Sequence, residues 1–402
     1  MCFLCIETDH EGKVFAAKYY ENSFIFVGAL SIEMLVRVGS YLINQRRIKM
    51  RNSKKILVLF TIMVMIINLL LNSNKVVANT KLTATEGRPV RASVLLRTLE
   101  DPYTALLKQS FEEIQKNNQG NIEFTFYDCK NDQSLQNRNV NSILNAGNAD
   151  IILLNLVDPT GVRTIVDRVK EKNIPLGLLN IEPLNMETVK SYSKAYFVGT
   201  NPAEAGILQG ELLSSLWNKD RTIIDKNGDN IMQYVMLMGP RNNLEAIGRT
   251  KYSVLSINDA GIKTEEIALR VCNWEENLAK DAMDALFLSN GNKIEVIISN
   301  NDAMAIGAIE ALQKYGYNSG DKNRTIPIVG VDGIPKAIQL INQGIMTGSV
   351  PQDAASMAEA TYLIGMNLVN GRPPLDGTSY KFDDTGVAVR IPYKGYISND
   401  NI

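Results

Sequence analysis

The chain has 402 residues, enough for two or three domains of ordinary size. Lys+Arg (42) nearly balance Asp+Glu (43), so the charge gives no reason to expect a nucleic-acid partner. The single histidine, His10, precedes the region that we expect to fold, which argues against histidine-dependent catalysis and histidine-ligated zinc. Four scattered cysteines do not make a disulfide framework, and we expect Cys129 and Cys272 to be isolated buried thiols.

The N-terminal region has the pattern of an export signal behind an extension. A basic cluster at 51–55 is followed by sixteen uncharged, mostly apolar residues at 56–71 and then by the small residue Ala78. This order is typical of a secretory signal peptide. Because Met50 directly precedes the basic cluster, we expect residues 1–49 to be upstream sequence from a wrong start and 50–78 to be the signal peptide. A genuine 49-residue extension is the alternative.

The mature chain is then expected to begin at Asn79 and to be exported, either to the periplasm or to the outer face of the cell membrane. Sixteen apolar residues are slightly short for a membrane span. Whether the protein is released or stays anchored by an uncleaved signal is left open by the sequence.

Beyond the signal, short aliphatic runs alternate with amphipathic stretches. The predicted strands are Val90–Leu96, Ile122–Tyr127, Asp150–Leu156, Ile174–Leu179, Ala195–Gly199, Gln233–Met238, Ile294–Ser299, Ile326–Val331 and Gly348–Val350. The predicted helices are Tyr103–Lys116, Val162–Lys172, Pro202–Trp217, Leu278–Leu288 and Ala303–Tyr315. Continuous apolar strands that alternate with helices predict parallel sheets covered on both faces. The fold class is therefore α/β, with two doubly wound lobes.

Polar side chains follow the predicted strands, at the edge where open parallel sheets bind ligands. They stand at 100–103, 180–183, 239–249, 273–274, 300–302, 332–333 and 352–353. Neither lobe has a glycine-rich phosphate-binding turn, which weakens a nucleotide hypothesis. Carboxylates, planar amides, a guanidinium and aromatic rings match the hydroxyls and C–H faces of a sugar. Each residue alone is more often a helix cap, a turn residue or part of the core than a ligand, so the interpretation depends on the coincidence of seven strand ends.

A second motif begins at Asp225. Oxygen-bearing side chains occupy positions 1, 3, 5 and 9 (Asp225, Asn227, Asp229 and Gln233), and Ile231 at position 7 can offer its carbonyl. This is the spacing of an EF-hand loop, but position 6 is Asn230 and position 12 is Met236, so a bidentate carboxylate is missing. From the residues alone, a calcium loop and a solvated turn are equally good interpretations.

The chain from about 90 to 396 resembles the galactose/glucose-binding proteins of sugar ABC importers, which are of the periplasmic-binding-protein type. The resemblance rests on KNDQSLQN at 130–137, NLVDP at 155–159, NIEP at 180–183, YFVGT at 196–200, NKIEVIISNNDAMAIGAIEAL at 292–312 and VGVDGIP at 329–335. It implies two Rossmann-like lobes joined by a three-stranded hinge. The implied division is 79–200 plus 353–391 for the N-terminal lobe and 201–352 plus 392–402 for the C-terminal lobe.

The resemblance also implies the sugar-binding residues. They are Asp101, Tyr103, Asn180, Asn243, Glu245, Arg249, Trp274, Asn301, Asp332 and Gln352. Tyr103 and Trp274 would stack on opposite faces of the sugar. Asn243, Glu245 and Gln352 stand where the family has a histidine, an aspartate and an asparagine, which leaves the particular sugar open.

In such proteins a distant glutamate completes the calcium loop, and Glu295 matches that position. The implied structural calcium site is Asp225, Asn227, Asp229, Ile231, Gln233 and Glu295.

The function implied is capture of a hexose (galactose, glucose or a methyl-galactoside) by lobe closure and delivery to an ABC transporter permease, by a monomer without enzymatic activity. A sensor that presents its closed form to a chemoreceptor or membrane kinase would have the same ligand site. A sugar-responsive repressor is disfavoured by the signal peptide and by the lack of a basic helix-turn-helix. A glycosidase would need Asp101 and Asp332 to act as a carboxylate pair.

Overall fold

The computed structural model describes residues 3–8, 14–19 and 87–398. The chain divides into two units, Met1–Asn79 and Thr80–Ile402. In the first unit, β1 (Phe3–Thr8) and β2 (Val14–Tyr19) form an antiparallel pair. The expected signal peptide at 50–78 lies outside the described residues, as does most of the expected 1–49 extension. Among the residues described, no helix has the length and apolarity needed to cross a membrane.

The second unit contains two six-stranded sheets. The first has the order β13-β7-β6-β5-β3-β4, with all of its strands parallel. Its strands are β3 (Val90–Leu96), β4 (Ile122–Asp128), β5 (Ile151–Asn155), β6 (Leu176–Leu179), β7 (Ala195–Gly199) and β13 (Ala388–Arg390). We call this sheet and its helices the N-terminal lobe.

The second sheet, the core of the C-terminal lobe, has the order β14-β12-β11-β10-β8-β9. Its strands are β8 (Ile231–Met238), β9 (Lys263–Val271), β10 (Val296–Ser299), β11 (Ile328–Asp332), β12 (Gly348–Pro351) and β14 (Ile397–Ser398). All pairings are parallel except that of β14 with β12. Two α/β lobes with parallel-sheet cores confirm the predicted fold class.

Ten α-helices accompany these strands within residues 87–398. They are α1 (Pro102–Asn117), α2 (Gln133–Ala146), α3 (Val162–Glu171), α4 (Met186–Lys190), α5 (Pro202–Lys219), α6 (Leu244–Asp259), α7 (Glu276–Asn290), α8 (Asp302–Gln313), α9 (Pro335–Asn342) and α10 (Ala354–Val369). Several begin at an Asp or Asn in the short connection that follows a strand. The side chain of this residue accepts a hydrogen bond from a first-turn N–H, as Asp101 does from Thr104. This local rule fixes polar side chains at the carboxyl edge of each sheet.

The central strands are hidden on both faces. Every residue of β5, β6, β7, β10 and β11 is buried, as expected for parallel strands covered by helices on both sides. Cys129 and Cys272 are buried and unpaired, in agreement with the sequence. In contrast, β9 was not predicted, because this edge strand carries Lys263, Glu265, Glu266 and Arg270 and none of its residues is buried.

The chain passes between the sheets three times. It leaves the first sheet after β7, returns to the N-terminal lobe after β12, and crosses again after β13 to add β14 to the second sheet. These three connections, which follow Gly199, Pro351 and Arg390, form the hinge.

Packing of α7 against α8 depends on a glycine. A Cβ added to Gly307 would lie 2.0 Å from the carbonyl oxygen of Glu276, which is backbone and cannot move aside cheaply. We therefore expect Gly307→Ala to destabilise the protein by about 1–3 kcal/mol, the usual cost of overpacking, as measured by thermal or denaturant unfolding. The matched control is Gly161→Ala, where the nearest atom would be 3.8 Å away. Equal stability of the two variants would contradict the packing argument.

Candidate functional site

A cleft between the carboxyl ends of the two sheets collects the residues that were predicted from the strand ends. The space left inside it is small, about 30 Å³. All ten candidate ligand residues line it: Asp101, Tyr103, Asn180, Asn243, Glu245, Arg249, Trp274, Asn301, Asp332 and Gln352. Arg97 and Ile181 also line it and were not predicted.

The N-terminal lobe contributes a buried ion pair. The Arg97 guanidinium donates to the Asp101 carboxylate and, at 3.1 Å, to Asn131 Oδ1. Asp101 also caps α1 through its other oxygen. Tyr103, in the first turn of α1, is buried beside Met357, with 3.8 Å between the hydroxyl and the sulfur. Asp101 is therefore held in place at both of its oxygens.

Three side chains reach the cleft from unusual backbone. Asn180, Trp274 and Asp332 have φ values of 64°, 71° and 118°, in the region that favours glycine. Trp274 needs a further adaptation, since a Cβ on Gly239 would lie 2.4 Å from its indole ring. Only glycine at 239 leaves room for the indole in this position.

Arg249 brings a buried positive charge to the cleft. Its side chain is 4% exposed, and its Nη1 donates to the Asn300 carbonyl at 2.8 Å. Nη2 donates to Gln352 Oε1 at 2.8 Å, and Nη1 lies 3.8 Å from Asp332 Oδ1. The guanidinium also lies 5.7 Å from the centre of a Trp274 ring. Its Nε, although buried, has no hydrogen-bond partner.

Glu245 connects the two lobes. Its Oε1 accepts a hydrogen bond of 3.1 Å from the backbone N–H of Glu182, which lies in the N-terminal lobe. Its Oε2 is buried without a partner. Burial raises the pKa of Glu245 to about 7, although nearby backbone N–H groups and Arg249 oppose the shift. Two residues of one cleft thus each have a buried polar atom without a partner, an arrangement that a polar ligand would satisfy.

Asp332 closes the cleft at the end of β11. Burial raises the pKa of its carboxyl well above the ordinary value, with Arg249 lowering it and Asp302 raising it further. Asp302 is itself buried, accepting from Ser349 Oγ at 2.7 Å and from the Ile334 N–H at 3.0 Å. Both carboxyls are therefore kept in a nearly water-free part of the lobe.

Two asparagines present N–H donors. Asn243 and Asn301 each cap a helix through Oδ1, accepting from Ala246 and Met304 at 3.0 Å. Since the carboxamide oxygen is used by the cap, the NH₂ group is the part left for other partners, as Asn301 shows by donating to the Trp274 carbonyl at 3.4 Å. The cleft thus offers amide donors beside carboxylate acceptors.

Gln352 lies on the second hinge connection. Its Nε2 donates to Asn180 Oδ1 at 3.2 Å, and its Oε1 accepts from Arg249. Tyr393, on the third connection, has its hydroxyl 3.0 Å from the same Oε1. Tyr393 was not predicted from the sequence.

Of the six predicted metal ligands, Asp225, Asn227 and Asp229 lie in the loop before β8, Ile231 and Gln233 are the first and third residues of β8 itself, and Glu295 directly precedes β10. The side chains of Asn227, Asp229 and Gln233 contact one another at 2.8–3.3 Å, and Glu295 reaches this loop by accepting from the N–H groups of Lys226 and Gln233. Burial and the charge of Asp225 raise the pKa of Glu295. Within the described ranges, no group of three or more His, Cys, Asp or Glu side chains is close enough to hold a metal. A site here would therefore depend on amide and carbonyl oxygens as well as carboxylates, a donor set that fits Ca²⁺.

Comparison with known proteins identifies the class to which this architecture belongs. Residues 92–373 match the model of the periplasmic binding protein domain. The D-galactose/methyl-galactoside binding periplasmic protein of Haemophilus influenzae is 37% identical over 313 residues, covering 78% of this chain and 90% of the relative. A putative rhizopine-binding protein of Rhizobium meliloti is 28% identical over 292 residues, covering 72% of this chain and 87% of the relative.

Solved structures share the fold. An ABC transporter solute-binding protein of Bacillus halodurans with bound myo-inositol superposes with a TM-score of 0.63 at 23% identity, covering 79% of this chain and 97% of that one. A periplasmic solute-binding protein of Actinobacillus succinogenes with bound D-allose gives 0.64 at 18% identity, covering 77% and 98%.

The fold and its interlobe cleft are those of a bilobal binding protein. The chain belongs to the periplasmic binding protein family, as its resemblance to that type predicted. Members of this family are extracytoplasmic binding proteins and not enzymes. This agrees with the prediction that the chain is exported and with the prediction that it binds a ligand without catalysing a reaction.

The raised pKa of Glu245 makes stability depend on pH. Its value of about 7 in the folded protein exceeds the ordinary 4.5. The folded state therefore binds the proton more tightly, and the protein loses stability as pH rises from about 4.5 through 7. Glu245→Gln removes this loss. We therefore expect the difference in free energy of unfolding, variant minus wild type, to be more favourable to the variant at pH 8 than at pH 5 by on the order of 2 kcal/mol.

Thermal unfolding of the sugar-free protein at the two pH values measures this difference. The control is Glu112→Gln, which changes an exposed ion pair with Lys108. Its difference in stability from the wild type should be the same at pH 5 and at pH 8. A Glu245→Gln difference that is independent of pH would contradict the prediction.

Proposed function

We propose that the chain captures a neutral monosaccharide between its lobes, a hexose of the galactose or glucose type, and delivers it to an ABC importer. The observation that carries this proposal is the cleft itself. Both lobes direct hydrogen-bonding groups into one small space, where Glu245 Oε2 and Arg249 Nε are buried and lack partners. Groups of this kind are costly to bury unless a ligand satisfies them.

The chemistry of the lining suits a sugar. A hydroxyl donates one hydrogen bond and accepts others, so it can give its proton to a carboxylate while it accepts from an amide or a guanidinium. Asp101 and Asp332 supply acceptors, and the NH₂ groups of Asn243 and Asn301 supply donors. Trp274 adds an aromatic surface for the C–H face of a pyranose. The relative from H. influenzae, which its name describes as binding D-galactose or methyl-galactoside, supports the choice of hexose.

Lobe closure would be the working step. Glu245 bonds to the opposite lobe at Glu182, and Asn242 Nδ2 lies 3.4 Å from Asp158 Oδ1 across the same cleft. A sugar that contacts both lobes adds to these interactions only in the closed form, so it shifts the population toward closure. A permease that recognises the relative position of the lobes would then accept the loaded protein. The protein would act as a monomer in the periplasm or on the outer face of the membrane.

We also infer that the loop at 225–233 holds a structural Ca²⁺. Asp225, Asn227, Asp229, the Ile231 carbonyl, Gln233 and Glu295 would hold it. The cation would supply positive charge between Asp225 and Glu295, whose mutual repulsion contributes to the raised pKa of Glu295. It would thereby tie the loop before β8 to the start of β10, away from the ligand cleft.

Calorimetric titration of the purified protein tests the proposal. After removal of bound sugar by unfolding and refolding, glucose, galactose, xylose and ribose are titrated in turn. We expect one-to-one binding of a hexose without turnover, and a loss of about 10–100-fold in affinity for Asp332→Asn, because the carboxamide places an N–H donor where the carboxyl has an acceptor and leaves a buried sugar hydroxyl unsatisfied.

Asp284→Asn is the matched control for this titration. This variant makes the same Asp-to-Asn change on the surface of α7, where Asp284 forms an ion pair with Lys314. It should bind the hexose as the wild type does. The absence of binding by any sugar of the panel would refute the proposed function. A pull-down from membranes with loaded and empty protein would then separate a permease from a chemoreceptor or sensor kinase as the partner.

Calcium is tested by thermal unfolding with excess Ca²⁺ and with chelator. We expect the chelator to lower the Tm of the wild type by about 5–10 °C, since binding to the folded state alone stabilises it. Asp225→Ala should have the Tm of the chelated wild type both with Ca²⁺ and with chelator. Its hexose affinity should be nearly unchanged. Asp321→Ala, a control in another turn of the same lobe, should respond to chelator as the wild type does. A wild-type Tm that ignores chelator would rule the site out.

A further inference from the structure

One buried hydroxyl joins the three hinge connections. Thr200 follows β7, Gln352 follows β12, and Tyr393 follows β13, so each connection contributes one residue. Tyr393 Oη lies 3.0 Å from Thr200 Oγ1 and 3.0 Å from Gln352 Oε1. All three residues are buried, with exposed fractions of 3–7%. The connections therefore meet at a single polar point.

The same hydroxyl contacts the cationic group of the cleft. Arg249 Nη2 donates to Tyr393 Oη at 3.3 Å and to Gln352 Oε1 at 2.8 Å. A phenol carries one proton, so Tyr393 donates to one neighbour while it accepts from the guanidinium. A shift of Arg249 toward a ligand thus changes the hydrogen bonding at all three connections.

We propose that Tyr393 is a positioning residue for ligand binding: its hydroxyl holds the Arg249 guanidinium and couples that position to the hinge. The inference deepens the proposed function and rests on it. When the lobes rotate, the backbone of the three connections changes, and the Tyr393 contacts carry that change to the guanidinium. Conversely, a ligand that fixes Arg249 favours one hinge angle.

The ring of Tyr393 has a separate packing role. It belongs to a small apolar cluster with Ala205, Val331 and Val350. Tyr393→Phe keeps this packing and removes only the hydroxyl, so it separates positioning from core stability. A residue that merely packs would lose little in this substitution.

The first experiment is hexose titration of Tyr393→Phe, with the wild type alongside. We expect about a tenfold loss in affinity, typical of one lost hydrogen bond to a charged partner, and a smaller sugar-induced decrease in the radius of gyration by solution X-ray scattering. Tyr192→Phe is the matched control, since it removes a buried hydroxyl that donates to the Ile174 carbonyl at 2.8 Å, away from cleft and hinge. It should bind the hexose within twofold of the wild type.

A double-mutant cycle isolates the coupling. In an Arg249→Met background, the further change Tyr393→Phe should cost little or no affinity, because the guanidinium that it positions is gone. A merely structural role predicts the same loss in both backgrounds. If Tyr393→Phe does not fold, Thr200→Val removes one partner of the hydroxyl at nearly constant volume and should lower affinity by severalfold.

The outcomes distinguish this inference from the proposed function. If the wild type binds a hexose and Tyr393→Phe or Thr200→Val binds it within twofold, the positioning role is refuted and the proposed function stands. If the wild type binds no sugar, the proposed function fails and the inference fails with it.

Discussion

The cleft depends on a positive charge that is almost removed from water. Transferring a guanidinium to such a place is costly unless hydrogen bonds and nearby negative groups compensate. Here the compensation comes from the Asn300 carbonyl, the Gln352 carboxamide, the Tyr393 hydroxyl and the Asp332 carboxyl. These partners come from different strand ends and from the hinge. The position of Arg249 therefore requires both the C-terminal lobe and the connections to be correctly assembled.

The same burial makes the cleft suited to an uncharged ligand. Arg97 is already paired with Asp101, and burial raises the pKa of Glu245 and of Asp332, which disfavours further negative charge. An anionic ligand would meet carboxyls, while a cationic ligand would meet Arg249. A neutral molecule with many hydroxyls satisfies acceptors and donors in turn without adding charge. The electrostatics of the cleft thus favour an uncharged ligand, as the proposed capture of a sugar requires.

Much of the fold and the location of the cleft could be predicted from the sequence, because parallel sheets bind ligands at the carboxyl ends of their strands. Aliphatic strands alternating with helices predicted both sheets, and the polar residues at the strand ends predicted where a cleft would form, since all strand ends of one sheet meet at one edge. The ten individual cleft residues were implied by the resemblance to the galactose/glucose-binding proteins. Edge strand β9 was not predicted, because its charged residues interrupt the apolar pattern by which the other strands were recognised. Arg97 follows β3 directly but looks like an ordinary strand end, and its role depends on Asn131 and Asp101 together. Tyr393 lies far along the chain from its partners, so no local pattern could indicate it.

Backbone strain contributes to the geometry of the cleft. Outside glycine, positive φ values cost on the order of 1–3 kcal/mol and persist only where the surroundings impose them. Asn180, Trp274 and Asp332 all have such values, and each presents its side chain to the cleft. Asn180 is held by Gln352, and Trp274 lies against Gly239, the only residue type that leaves room for its ring. Glycine would adopt these φ values without strain, so it is the positive-φ backbone with its supporting contacts that places the Asn180, Trp274 and Asp332 side chains in the cleft.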